Sequence, residues 1–331
     1  MTLNKPLFPR RRLLQAAAAL CTLGAAGALH AQPAPWPSKP IRLVVGFAPG
    51  GTTDMLARIL AQSLSESLGQ TVVVDNKPGA GGNIAVAEVI RAAPDGHSFL
   101  VAPTSVETVN PWLFKSNVLP SRDLSPVAGI GRTQMYLVTR PQLPVKDARE
   151  LVALARSQPG KLSYASAGAG TPPHLAGELF KLRTGVFVTH IPYRGAAPAL
   201  QDVLSGQADF VFDPGIAFQH IRAGKVKLVA VASAKRSPFF PDVPTVAEQG
   251  FTGAELDIWF GAWAPNGTPA DIGARISREI AKALGQASVK ARYSELGAEP
   301  IALDTPEFRG LLTQEGKTLA ALIKEQGITA N

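Results

Sequence analysis

The sequence predicts an α/β protein of two lobes, each a mostly parallel sheet flanked by helices. Three observations point there. Short β-branched or apolar runs alternate with amphipathic stretches along most of the chain, the rhythm of βαβ units with helices on both faces of a sheet. Three glycine-rich turns each stand between a strand and a helix. The 331 residues hold more strand segments than one sheet around a single core accommodates well, which favours two lobes.

The elements follow in order. The first strand is Ile41-Arg42-Leu43-Val44-Val45-Gly46-Phe47. In the helix after it, Leu56, Ile59, Leu60, Leu64 and Leu68 fall on one stripe at helical spacing, and Gly69 is its C-terminal stop. A strand over 71–75, a helix over 84–92 and a strand over 98–102 continue the pattern. Further strands are predicted over 162–165, 186–191, 210–212 and 226–231, separated by helices over 147–157, 174–183 and 197–205. Apolar strands over 135–139 and 256–264 lie between these blocks and are read as the crossing segments. That gives 32–136 and 255–331 to one lobe and 137–254 to the other. Thr268-Pro269 and Thr305-Pro306 each read as an N-cap followed by proline at the first helical position. Helices over 270–284 and 307–325 follow them.

A composition of 46% hydrophobic and 18% charged residues is that of a globular chain. The formal net charge of +8 raises the question of nucleic acid, but it is unevenly spread. Residues 1–31 carry Lys5, Arg10, Arg11 and Arg12 and no acid, followed by an Ala/Leu-rich run over 13–29 that ends Ala28-Leu29-His30-Ala31. A charged start, an apolar middle and a small residue before the cut are the parts of a secretory signal peptide. The run is short for a permanent membrane anchor. Cleavage is expected after Ala31, with export to the periplasm. Arg10-Arg11-Arg12-Leu13-Leu14-Gln15 fits a twin-arginine leader and an ordinary Sec leader alike. Without the leader 29 bases face 25 acids, an excess of +4 with no basic run, which argues against nucleic acid. Cys21, the single cysteine, lies in the leader and follows Leu20, which does not suit a lipoprotein signal. The mature chain then has no thiol for a disulfide, a nucleophile or a zinc site.

The three turns are Phe47-Ala48-Pro49-Gly50-Gly51-Thr52-Thr53-Asp54, then Pro78-Gly79-Ala80-Gly81-Gly82-Asn83, then Ser166-Ala167-Gly168-Ala169-Gly170-Thr171-Pro172-Pro173-His174. Each places backbone N–H groups and a positive helix end at the carboxyl end of a strand, where open α/β sheets bind ligands. One such turn is equally a tight bend that needs positive φ; three of one kind point to a shared cleft for an anion. Pro172 and Pro173 carry no N–H, so the third turn's donors are expected from Gly170, Thr171 and His174 backbone groups and the Thr171 hydroxyl. His174 also reads as a packed first-turn residue. No nucleotide fingerprint is present. His97, His174, His190 and His220 form no pair at metal-ligand helical spacing, and no metal or cofactor is expected. Ser105 follows Pro103-Thr104, not a nucleophile elbow. Asp213 closes a strand before Pro214-Gly215, as a turn acid or a ligand contact. Arg194, in Tyr193-Arg194-Gly195, steers an anion or is simply solvated.

Taken in order, several segments carry a resemblance. They include Pro40-Ile41-Arg42-Leu43-Val44-Val45, the first and second turns, Ala93-Pro94-Asp95-Gly96-His97, Leu162-Ser163-Tyr164-Ala165-Ser166 and His190-Ile191-Pro192-Tyr193-Arg194-Gly195. Asp209-Phe210 with Phe212-Asp213, Pro241-Asp242-Val243-Pro244-Thr245 and Gly267-Thr268-Pro269 complete the set. Together they resemble the Bug-type extracytoplasmic solute receptors of tripartite tricarboxylate transporters, over essentially the whole mature chain. The resemblance implies a two-lobed periplasmic binding fold (type 2, Venus-flytrap) that closes by a hinge on a small organic carboxylate. It implies contacts from the first lobe at Phe47, Ala48, Pro49, Gly50, Gly51, Thr52, Thr53 and Asp54, and at Gly81 and Asn83, with Ser105 nearby. From the second lobe it implies Ser166, Gly168, Gly170 and Thr171, with the His174 helix start, and Asp213 at the ligand's far end. Membrane permease subunits are the implied partners of a monomeric receptor. The chain departs from the family pattern at Gly46, where many members have proline, and at Trp112 in a variable stretch. A ligand sensor on the same fold and a periplasmic hydrolase are the competing readings; the hydrolase needs a nucleophile beside a base, and none is visible.

Overall fold

The computed structural model describes residues 35–115 and 118–329, so the predicted leader with Cys21 lies outside it. The chain divides between Ser38 and Lys39 into two units, and the fold that follows is that of the second. Its strands, in chain order, are β1 (Ile41–Val45), β2 (Val72–Asn76), β3 (Ser98–Pro103), β4 (Leu124–Thr133), β5 (Tyr136–Thr139), β6 (Ser163–Ser166), β7 (Thr189–Pro192), β8 (Phe210–Asp213), β9 (Lys227–Val231), β10 (Ile258–Pro265) and β11 (Ala298–Glu299). They form two sheets, ordered β11-β4-β10-β3-β1-β2 and β7-β6-β8-β5-β9.

β1 is an almost unbroken apolar run because helices cover both faces of its sheet. Its one charged residue, Arg42, reaches the margin and pairs with Asp75 at 2.6 Å and Glu88 at 3.1 Å. The following helix, Thr52–Leu68, buries Leu56, Ile59, Leu60, Leu64 and Leu68 on its sheet side, and Gly69 ends it at φ 66°. In the first sheet Trp263 of β10 is fully buried edge-on against Phe308, ring centroids 5.0 Å apart, while its indole N–H donates to Glu107 at 2.8 Å. The second sheet is lined by Tyr164, Phe210 and Phe212, with Phe180 of the Pro172–Thr184 helix packed edge-on to both phenylalanines.

The expectation of mostly parallel sheets needs correction. β1 runs parallel to β2 and β3, and β6 parallel to β7 and β8. β10 is antiparallel to β3 and β4, and β5 is antiparallel to β8 and β9. β4 leads from the first sheet directly into β5 of the second, and β10 returns the chain. Strands that carry the chain between sheets run against their neighbours, and an apolar pattern does not encode direction. β4, with its bulged pairing to β10, is also a long strand that the pattern did not announce.

Two helix starts differ from expectation as well. The Thr305–Gln326 helix is capped by Asp304, whose carboxylate accepts the Glu307 N–H at 2.9 Å while Glu307 accepts from Asp304 N. Thr305 is already inside and donates its hydroxyl to Val127 O at 2.6 Å. Pro269 itself occupies the cap of the Ala270–Gly285 helix.

Candidate ligand-binding cleft

Three helices begin at one place. The Thr52–Leu68 helix starts after Gly51, the Pro172–Thr184 helix after Thr171 and the Ala196–Ser205 helix after Gly195. None of the three N-caps gives its helix a side-chain hydrogen bond. Their first turns line a cavity of about 30 Å³ through Gly51, Thr52, Thr53, Thr171, Pro172, Pro173 and Ala196. Phe47, Pro103, Ala167, Pro214, Ile258 and Phe260 close the rest of the wall. The result is a small apolar chamber with three positive helix ends aimed into it and hydroxyls only from threonine. At roughly 10–15 Å³ per water it holds about two waters.

Outside it lies a groove of about 460 Å³, which shares Phe47 and Ala167 with the inner chamber. Its walls are the second turn from Pro78 to Gly82, Ile84, Phe114, Ala167, Gly168, Ala169 and the loop Pro192, Tyr193 and Arg194. A Cβ on Gly46 would stand 2.6 Å from Gly82 Cα, so the bare glycine lets the exit of β1 abut the second turn. Gly170 has φ +77°, and a Cβ there would meet the Phe114 ring at 2.6 Å and Asn110 Oδ1 at 2.7 Å. Asn110 in turn donates to Gly81 O at 3.0 Å and Asn83 Oδ1 at 2.9 Å, linking the second turn to the third.

The predicted residues divide into walls and supports. Phe47, Gly51, Thr52, Thr53 and Thr171 line the chamber, and Gly81 and Gly168 line the groove. Ala48 donates its N–H across the cleft to Arg194 O at 3.0 Å, and Thr52 donates its hydroxyl to Pro214 O at 3.3 Å. Pro49 and Gly50 bend the first turn. Asp54 faces away from the chamber: it accepts from Gly50 N, Arg58 Nε and Asn76 Nδ2, each at 2.9 Å. Burial pushes its carboxyl up, but the hydrogen bonds from Arg58, Gly50 and Asn76 outweigh this and hold it below the usual range. Asn83 is engaged by Asn110. Ser105 is buried at the start of the Ser105–Thr108 helix, its hydroxyl without a hydrogen-bond partner, off the walls of both cavities.

The donors expected in the third turn are largely turned inward. Gly170 N donates to His174 Nδ1 at 3.2 Å. Thr171 N and its hydroxyl both donate to Gly168 O, at 3.2 and 2.6 Å, and Gly168 N donates to Ser166 Oγ at 3.1 Å. His174 is buried beneath the turn. Asp213 lies just behind Pro214: one oxygen accepts from Gly215 N at 2.7 Å and Ala217 N at 3.0 Å, while the other has no partner. Its burial pushes the carboxyl up to about 7. Sequence reasoning missed Pro103, Ala196, Pro214, Ile258 and Phe260. Only Ala196 had a readable signal, since Gly195 stands between the 189–192 strand and a helical pattern.

Residues 56–328 match the family described as tripartite tricarboxylate transporter family receptor. Protein BugT of Bordetella pertussis is 37% identical over 300 residues, 88% of this chain and 90% of BugT. The solved periplasmic binding protein BugD has 37% identity and a TM-score of 0.84, covering 88% of this chain and 99% of BugD. An R. palustris protein solved with adipate has 36% identity and a TM-score of 0.85, covering 88% of this chain and 99% of its own. The two mixed sheets flanked by helices are thus the two-lobed α/β fold of periplasmic binding proteins, and the relatives are solute-binding receptors, not enzymes.

Proposed function

Because this chain belongs to the tripartite tricarboxylate transporter receptor family, we propose that it captures a small carboxylate-bearing solute in the periplasm and presents it to the membrane permease of a tripartite transporter. Residues 32–136 and 255–331 form one lobe in this reading and 137–254 the other, and residues 1–31 export a monomeric receptor. The observation that carries it is the convergence of three helix N-termini without side-chain caps on one chamber whose wall has no charged side chain. A carboxylate answers the positive helix ends, and Phe47, Pro103, Pro214, Ile258 and Phe260 receive an apolar tail.

Closure supplies the signal. The chamber is built from both sheets, so a ligand that touches both stabilises the closed arrangement over an open one. The adipate held by the R. palustris relative supports a carboxylate ligand. Thermal unfolding of the mature protein against a panel of mono- and dicarboxylates, aromatic ones included, tests this. A particular carboxylate should raise the melting temperature while its amide does not. A panel in which no carboxylate stabilises the protein sinks the reading.

A further inference from the structure

Beneath the third turn lies a stack of three rings. Tyr164 of β6 lies over His190 of β7, centroids 4.8 Å apart and planes at 22°. His190 lies in turn over His174 of the Pro172–Thr184 helix, at 4.3 Å and 29°. Each histidine also bonds to the turn above. His174 Nδ1 accepts the Gly170 N–H, and His190 Nε2 lies 2.7 Å from Ser166 Oγ, the atom that accepts the Gly168 N–H. Neither histidine lines the chamber or the groove.

The contact with Gly170 specifies the protonation of His174. A backbone N–H only donates, so His174 Nδ1 must be bare and a neutral ring carries its proton on Nε2. Two cationic rings stacked at this distance would repel. Charged groups face the pair from the same helix. Glu178 lies 4.0 Å from His174 Nε2, accepts the Tyr164 hydroxyl at 2.6 Å and binds Lys181 at 2.9 Å. Burial, the largest effect on each ring, pushes both histidines below their usual range, and His174 helps push His190 down to about 4.

We propose that His174 and His190 are positioning residues for ligand capture: as a neutral stacked pair they hold the 166–171 turn in the shape it presents to the cleft. This rests on the receptor reading, in which that turn forms part of the ligand site. Losing the pair's acceptor frees the Gly170 N–H and lets the turn relax, while the sheet beneath stays packed. The ligand's affinity falls although no atom that touches it has changed.

The test compares mature wild-type protein with His174→Leu and His174→Asn, titrated calorimetrically with adipate, malate, acetate and benzoate at pH 7.5. Leucine removes the acceptor at similar volume; asparagine places an oxygen near the position of Nδ1. Whichever carboxylate binds the wild type should bind His174→Leu about three- to tenfold more weakly, the worth of one hydrogen bond, and His174→Asn nearly normally. A second readout is pH. Wild-type affinity should fall more steeply between pH 5 and 4 than that of a His174→Asn, His190→Gln double variant, which has no imidazole left in the stack. Equal affinity in wild type and His174→Leu, or parallel pH profiles should that variant not fold, overturns the positioning role alone. Failure of the wild type to bind any of the four carboxylates overturns the receptor reading on which it rests.

Discussion

The Ala48 amide donates to the Arg194 carbonyl at 3.0 Å, joining the turn after β1 in one sheet to the loop after β7 in the other. Thr52 and Pro214 make a second such bond at 3.3 Å. Both lie beside the chamber, and both use neutral groups. Such bonds are worth about 0.5–1.5 kcal/mol each, and in the proposed receptor a ligand that touches both sheets would add to them.

Thr52→Val removes one of these bonds at nearly constant volume. Carboxylate affinity should fall about three- to tenfold, with the melting temperature of the ligand-free protein nearly unchanged. Calorimetry gives the affinity, and small-angle scattering should show a larger open fraction. An unchanged affinity would mean that this bond does not contribute to closure.

Asp54 shapes the first turn from behind. Asp54→Ala leaves Gly50 N, Arg58 and Asn76 without their acceptor, and should cost about 1–3 kcal/mol of stability together with most of the binding. Because its folded pKa is depressed, its contribution is present above the usual carboxylate range and is lost as pH falls through the folded value. Denaturant midpoints of wild type and variant should therefore differ at pH 7 and converge toward pH 3.

Asp213 has the opposite sign. Its pKa rises from 3.8 to about 7, so its contribution is full below about pH 4 and is lost as pH rises through 7. Asp213→Asn keeps an oxygen for Gly215 N and Ala217 N but removes the buried charge. It should match wild type near pH 4 and exceed it at pH 8, by something on the order of 2–4 kcal/mol at 1.36 per pKa unit. Urea unfolding across that range measures it. A variant weaker than wild type at pH 8 would show that the ionised carboxylate has a partner in the folded protein.

Gly170→Ala and Gly69→Ala separate crowding from backbone strain. Both positions have positive φ, +77° and +66°, but a Cβ at Gly69 meets nothing within 4 Å whereas one at Gly170 meets Phe114 and Asn110. Gly69→Ala should cost about 1 kcal/mol and leave binding intact. Gly170→Ala should cost more and abolish binding. Equal losses in thermal unfolding and intact binding in both variants would remove the third turn from the site.

Much of the fold was legible because local patterns record which face of an element is buried. The stripe from Leu56 to Leu68 placed its helix, Gly69 its end, and the run Leu43-Val44-Val45 a strand covered on both faces. The three turns were legible as glycine runs between a strand and a helix. Roles within the turns were not. The bonds of Asp54 to Gly50 N, Arg58 and Asn76 and of His174 to Gly170 N could not be read there, since a carboxylate or imidazole looks the same in sequence whether it faces a ligand or a backbone amide.

The sequence by itself determined most of the elements, their order and the family, but not β4. Only the tertiary structure decided strand direction, the meeting of the Ala196–Ser205 helix with the other two, and the choice of Pro214, Ile258 and Phe260 as walls. Periodicity tells an element which side to bury but not against what. Thr52 and Pro214 are 162 positions apart, and the contact that joins them exists only after two sheets have folded and closed on each other.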